Sequence, residues 1–211
     1  MQFAAILAGG SGVRMGNPNK PKQFFYLGDK PILVHTLEKF CAAGSFDGVL
    51  VLTPATWVQQ TKDIIAKHCP QYADAVNVIA GGAERNDTIM NAIRYFEDEC
   101  QADDASIIVT HDAVRPFVSL RIIEDNIAAA LAHGACDTVV PATDTIVESL
   151  DGELISSIPN RSVLYQGQTP QSFNMRELRE TLESLTPEES AILTDACKKL
   201  FEQAADVMLS Y

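Results

Sequence analysis

Paired cysteines, positive charge and long apolar runs are all scarce in this sequence, and each shortage removes a class of protein. Five cysteines (Cys41, Cys69, Cys100, Cys136 and Cys197) are scattered over 211 residues with no Cys-x-x-Cys. An odd count at wide spacing fits reduced thiols of a cytosolic protein better than a disulfide framework or a zinc site. His35, His68, His111 and His133 show no metal-ligand spacing either. Lysine and arginine total 16 against 28 acids, a formal net charge of −12. That balance disfavours nucleic acid or an anionic membrane as the main partner, since both reward basic surfaces. The acids gather in stretches such as "RYFEDECQADD" and "LESLTPEE", which read as solvated helical faces. No apolar run is long enough to span a bilayer. The apolar stretch at the N-terminus lacks a basic leader and ends in glycines, so it reads as a buried strand and not a signal peptide. The cytoplasm is the expected compartment.

Two familiar phosphate loops are missing as well. A Walker loop closes on Gly-Lys-Ser/Thr, whereas here Gly16 is followed by Asn17. The dinucleotide fingerprint fails because Met15 stands where its third glycine belongs, and no acid follows the second strand at Thr53-Pro54.

What is present is a rhythm. The length suits one domain over residues 1–211. Short apolar runs ("FAAILAG", "DGVLVLT", "VNVIAGG", "SIIVTHD", "CDTVVPAT") alternate with helical patterns. The first helical stretch has Leu33, Leu37 and Phe40 on one face, between Pro31 and Gly44. A later one opens at a Ser119 cap and closes at Gly134. Continuous apolar strands in a βαβ order predict an α/β, Rossmann-like, mostly parallel sheet with helices on both faces. One segment, "DTIVESLDGELISSIP", breaks the rhythm with two short β runs around Asp151-Gly152, a hairpin signal. This inserted hairpin, at about 143–162, is either a surface flap or an arm reaching a second subunit to hide Ile146, Val147, Leu154 and Ile155.

Ligands in such sheets bind beyond the carboxyl ends of the strands. Three of those ends are rich in glycine or polar residues. "AGGSGVRMG" is a glycine loop followed by Arg14, then Lys20 and Lys22, a set suited to cradling and neutralising phosphate. In "AGGAERNDT", Gly81 and Gly82 allow close approach by a flat base and Thr88 offers a hydroxyl; the bland reading is a helix start capped by Asn86 or Asp87. In "THDAVRPF", Asp112 stands where a carboxylate can hold Mg²⁺ against nucleotide phosphates, or simply pair with Arg115. His111 reads as a hydrogen-bonded strand-end residue, since no second histidine is placed to help it bind metal.

Together with "PKQF", "DTIVES", "IPNRSVLYQGQTPQSF" and "ILTDACKK", these motifs resemble the polyol-phosphate cytidylyltransferases over nearly the whole chain. That family includes the methylerythritol-phosphate enzymes of isoprenoid synthesis and the ribitol-5-phosphate enzymes of teichoic acid synthesis. "ILAGGSG", "IPNRSVLYQGQTPQSF" and "LTDACK" look more like the ribitol branch. The resemblance implies in-line attack of a polyol phosphate on the α-phosphorus of CTP, with Mg²⁺ and without a covalent enzyme intermediate. It implies that Ala8, Gly9, Gly10, Ser11 and Gly12 wrap the nucleotide, while Arg14 and Lys22 contact its phosphates and stabilise the transition state. Gly81, Gly82 and Thr88 would hold the cytosine end, with Arg85 supporting their loop. Asp112 would bind Mg²⁺ near the polyol, and Arg115, Thr143 and Thr169 would line the polyol site. Arg161 would reach the acceptor phosphate of a neighbouring subunit, which makes the hairpin the arm of a homodimer, and Thr194 would lie near the acceptor phosphate.

The family pattern continues past a strand like "ADVMLSY" into an Asn-x-Lys-x-Thr segment and a last helix, for which these 211 residues hold no counterpart. Acceptor affinity and fold stability are the two properties this bears on, through an apolar sheet edge or helix groove left uncovered. Ribitol 5-phosphate is the expected acceptor, with methylerythritol 4-phosphate as the alternative. A nucleotide-binding module without turnover, and a nucleotidyltransferase for another nucleotide or a sugar 1-phosphate, are further readings.

Overall fold

The apolar run after Met1 forms strand β1 (Gln2–Leu7), and Phe3 to Ile6 are fully buried. Burial on both faces places a strand in the middle of a sheet. The computed structural model describes residues 1–10, 20–186 and 207–210. A small antiparallel pair, β2 (Tyr26–Leu27) and β3 (Lys30–Pro31), leads into α1 (Ile32–Ala43), which starts after Pro31 and ends at Gly44 with φ +67°. Next come β4 (Gly48–Thr53), α2 (Val58–His68), β5 (Val76–Ala80) and α3 (Arg85–Cys100). Then follow β6 (Ile107–Asp112), α4 (Leu120–His133) and β7 (Ala135–Pro141). The Ser119 hydroxyl caps α4 by accepting from the Ile122 N–H at 3.3 Å, as its sequence predicts. The chain goes on through β8 (Tyr165–Asn174), α5 (Met175–Glu183) and β9 (Val207–Ser210).

Seven strands form one sheet in the order β5-β4-β1-β6-β8-β7-β9. All the pairings are parallel except those of β8, which runs antiparallel to both neighbours. The mostly parallel α/β fold expected from the βαβ rhythm is therefore present. Alternation along the strands feeds two cores. On one face Ala4, Ile6, Val51 and Val109 pack with Leu37 and Phe40 of α1 and Ile123 and Ile127 of α4. On the other, Phe3, Leu50, Leu52 and Ile108 pack with Ile89, Ile93 and Phe96 of α3 and Leu178 of α5.

Two features depart from the sequence reading. Strand β8 was not anticipated, because Gly167 and Pro170 interrupt it and proline normally argues against an interior strand. Pro170 falls where the β7 pairing shifts register, between the Asp137–Gln171 and Val139–Gly167 pairs, and beyond the last β6 pair at Thr110–Gln171. The missing N–H therefore leaves the ladder intact. The expected hairpin is the second departure. Its tip turns at Asp151-Gly152, with Gly152 at φ +78°, but the two β runs reduce to one isolated bridge between Glu148 and Ser157. The Asp151 carboxylate accepts from the N–H groups of Glu153 and Leu154, both at 2.9 Å, so a side-chain turn replaces part of the ladder.

Candidate active site

Strand order dictates where a ligand fits. From β1 the chain crosses to β4 on one side, whereas β6 lies on the other, so the order in which strands are added reverses between β1 and β6. A crevice opens beyond the carboxyl ends of strands at such a point. Here it is a cavity of about 490 Å³. Ala8, Gly9 and Gly10 enter it from β1, Lys22 from the short helical turn Lys22–Phe24, and Asp112 from β6. Gly82, Arg85 and Thr88 enter from the loop that starts α3. The first turn of a 16-residue helix thus borders the cavity, where the positive end of the helix dipole favours an anion.

Asp112 is the electrostatic centre of this arrangement. Arg85 Nη1 donates to its Oδ1 at 2.9 Å, and Arg115 Nε donates to its Oδ2 at 3.0 Å. Burial alone would raise this carboxyl, but the Arg85 guanidinium, and Arg115 after it, outweigh burial and hold it below the usual range. Arg115 also donates to Gln168, and the Asp112 N–H donates to Thr169 Oγ1 at 3.3 Å, so β8 closes this side of the site. Behind Asp112, the fully buried His111 bonds through Nε2 to the Arg115 carbonyl at 3.0 Å, the strand-end role expected for it. Burial pushes its pKa down to about 4.

The glycine loop before α3 is shaped by the chain itself. A Cβ on Gly82 would lie 2.2 Å from the Asp87 Cβ, so the loop can close over the helix start only without a side chain there. Thr88 Oγ1 accepts from the Gly82 N–H at 3.0 Å and donates to the Glu84 carbonyl at 2.9 Å. Its hydroxyl proton braces the loop. The helix cap is Glu84, in a capping box with Asp87, and neither Asn86 nor Asp87 holds the cap position. Gly81 stands just outside the cavity lining, close against Thr88.

Thr143 and Arg161 are brought together, but away from the cavity: Arg161 Nη1 donates to the Thr143 carbonyl at 2.8 Å. Ser11, Gly12, Arg14 and Thr194 lie outside the described residues. Three residues escaped the sequence reading. Gln23 is buried, and its Nε2 donates to the Ala8 carbonyl at 2.5 Å, anchoring the start of the glycine loop. Its one sequence clue is a polar residue inside "PKQF", next to Phe24 in the core. Glu84 and Gln168 act through non-helical geometry that no spacing rule reports.

The expectation that Asp112 binds Mg²⁺ meets an obstacle. A single carboxylate suffices for Mg²⁺ held mainly by phosphates and water, yet both oxygens of Asp112 already accept from guanidiniums. Among the described residues no group of three His, Cys, Asp or Glu could hold a metal ion. Asp112 as arranged does not fit a metal ligand, and no step is assigned to a metal held by it.

A family model described as 2-C-methyl-D-erythritol 4-phosphate cytidylyltransferase (IspD) matches residues 3–207. The chain belongs to that family. It is a cytidylyltransferase, as the resemblance of its motifs to that family implies. Among solved structures it resembles a 4-diphosphocytidyl-2C-methyl-D-erythritol synthase from Anaerococcus prevotii, with a TM-score of 0.79 and 23% identity, covering 100% of this chain and 86% of that one. It also resembles a 2-C-methyl-D-erythritol 4-phosphate cytidylyltransferase from Francisella tularensis (0.79, 24%, covering 99% and 88%) and one from Thermus thermophilus (0.69, 23%, covering 100% and 88%). At such identities the likeness concerns the fold. Within that fold, the four cysteines among the described residues of this cytidylyltransferase, Cys41, Cys69, Cys100 and Cys136, are unpaired. Burial pushes Cys41 and Cys136 up to about 12 and Cys69 up to about 11, which leaves them inert at neutral pH. No helix of the described residues is long and apolar enough to cross a membrane.

Proposed function

We propose that residues 1–211 form one nucleotidyltransferase domain that transfers the cytidylyl group of CTP to a polyol phosphate. The observation that carries this is the convergence of the Ala8–Gly10 strand end, Lys22 and the start of α3 on one cavity at the sheet's switch point. A phosphate oxygen of the acceptor attacks the α-phosphorus of CTP, the bond to the bridging β-phosphate oxygen breaks, and pyrophosphate leaves. The attacking oxygen is already anionic, so positioning and charge stabilisation dominate over proton transfer. Lys22, with Arg14, neutralises charge growing on the α-phosphoryl oxygens. Ala8 to Gly12, Gly81, Gly82 and Thr88 hold the nucleotide, and Arg85 steadies their loop through Asp112. Asp112, Arg115 and Thr169 face the polyol. Mg²⁺ held by the triphosphate of CTP would supply further neutralisation of charge on the phosphoryl oxygens. Thr143 lines the polyol site with Asp112, Arg115 and Thr169, and Arg161 and Thr194 serve the acceptor phosphate, Arg161 across a homodimer whose arm covers its apolar residues. The four unpaired cysteines among the described residues support a cytoplasmic setting.

The acceptor best supported by the family description is 2-C-methyl-D-erythritol 4-phosphate. A second reading, ribitol 5-phosphate, is favoured by "ILAGGSG", "IPNRSVLYQGQTPQSF" and "LTDACK" in this chain. Pyrophosphate release from CTP and Mg²⁺, with each acceptor in a separate reaction, decides between them. Preference for methylerythritol 4-phosphate upholds the first reading, and preference for ribitol 5-phosphate upholds the second. CTP binding without release with either one would overturn both in favour of a non-catalytic nucleotide-binding module.

A further inference from the structure

The stretch from His111 to Arg115 is tied down atom by atom. The Ala113 N–H donates to the Leu7 carbonyl at 3.0 Å, and Thr36 Oγ1 donates to the Ala113 carbonyl at 2.9 Å. The Arg115 N–H donates back to the Asp112 carbonyl at 3.1 Å. The Arg115 carbonyl is held by His111 Nε2 at 3.0 Å. A carbonyl oxygen only accepts, so Nε2 carries the proton, and a neutral imidazole then has an unprotonated Nδ1. That Nδ1 is buried with no hydrogen-bond partner. Such an orphan is costly and calls for an explanation. The ring lies 5.0 Å from the Phe40 ring, a place that an apolar side chain would fill without leaving a nitrogen unpaired. What the imidazole adds there is one N–H, aimed at the backbone of Arg115.

We propose that His111 is a positioning residue for the acceptor site: in its Nε2–H form it fixes the Arg115 backbone, and so aims the Arg115 guanidinium. That guanidinium spans Asp112 and Gln168, joining β6 to β8 at the edge of the cavity. Without the N–H, the carbonyl end of Arg115 loses its anchor, while the glycine loops keep theirs at Gln23 and Thr88. The effect therefore falls on the acceptor and spares CTP. This rests on the proposed placing of Arg115 at the polyol phosphate.

The test compares KM for each substrate, using whichever acceptor supports turnover, in three variants. His111→Phe keeps the ring and removes the donor; acceptor KM rises about tenfold, the scale of one lost hydrogen bond, and KM for CTP stays within about twofold. His111→Gln places an amide N–H near the Nε2 position and restores acceptor KM to within about threefold. His111→Asn places its N–H near Nδ1 and does not rescue. Equal behaviour of the Gln and Asn variants, or equal rises in both KM values, overturns the proposal. Nitrogen-15 NMR of the unmutated protein needs no variant to fold: an Nδ1–H tautomer of His111 overturns it as well, and an Nε2–H tautomer supports it. Arg115→Ala separates the two claims. If it leaves acceptor KM in place, the reading of the acceptor site fails; if it raises acceptor KM and His111→Phe does not, the positioning role alone fails.

Discussion

The loop after β6 and the arm at about 143–162 both carry residues expected to handle the acceptor, and they are held in opposite ways. Asp112, Ala113 and Arg115 are bonded to β1, α1, α3 and β8, elements drawn from across the chain. The arm is bonded mainly to itself, through the Glu148–Ser157 bridge, the Asp151 turn and the Arg161–Thr143 contact. Its apolar side chains lie open: Leu150 is 94% exposed, Leu154 71% and Ile155 62%. The first region gets its geometry from the core of the protomer. The second has a local turn, and among the described residues nothing covers its apolar face, so the proposed partner contact has a surface to act on. Changes near the cavity should therefore act on chemistry and folding, and changes in the arm on acceptor binding and assembly.

The largest effect is expected at Lys22, in the cavity. Lys22→Ala should lower turnover by about 10²–10³-fold, the scale for removing one transition-state donor, while CTP affinity falls far less. Single-turnover kinetics beside equilibrium CTP titration would show it. Equal losses in the two would place Lys22 in ground-state binding.

The next effect is on stability against pH. His111 is held near pKa 4 in the folded protein, against about 6.5 unfolded, so the unfolded chain binds the extra proton between these values. Stability is full above pH 6.5 and falls by about 3 kcal/mol as pH drops toward 4. Below that, protonation of Asp112, whose carboxyl is also depressed when folded, adds a further loss. The imidazole faces Asp112, Arg115 and Arg85, and burial is the dominant cause. Urea unfolding across this range should show the slope, and His111→Gln should flatten it above pH 4. Gly82→Ala should cost about 1–3 kcal/mol, because a Cβ only 2.2 Å from the Asp87 Cβ forces the loop off the start of α3. Thermal melts with and without CTP would show both the loss and a reduced shift by nucleotide.

Much of this comparison can be read in the sequence, for physical reasons. β1, β4 and β6 are legible because parallel strands buried on both faces are written as unbroken apolar runs. The three strand ends are legible because glycine and charge interrupt those runs at the same relative place. β8 is not, since Gly167 and Pro170 hide a strand whose pairing is supplied by β6 and β7 from elsewhere in the chain. The double engagement of Asp112 is half legible. Arg115 is three residues away, but Arg85 is 27 residues earlier, on another element, and no spacing rule brings it back. Gln23 and His111 show the same limit, because the burial that gives each polar group its role is a property of the packed fold.

The smallest change on the protomer is expected in the arm, and it is the most telling for the comparison. Arg161→Ala removes a charge-assisted contact and, on the proposed reading, raises acceptor KM about tenfold with little change for CTP. Replacing Leu150 and Leu154 by serine should do less still to the protomer. Neither side chain is covered, so unfolding free energy should stay within about 0.5 kcal/mol. The assembly should respond instead. If a second copy covers this face, the double variant shifts sedimentation from dimer toward monomer at fixed concentration and raises acceptor KM as Arg161→Ala does, with CTP binding intact. If sedimentation and acceptor KM both stay put, the arm is a surface flap. The acceptor site would then be complete within one protomer, and the contrast between the two regions would be one of packing alone.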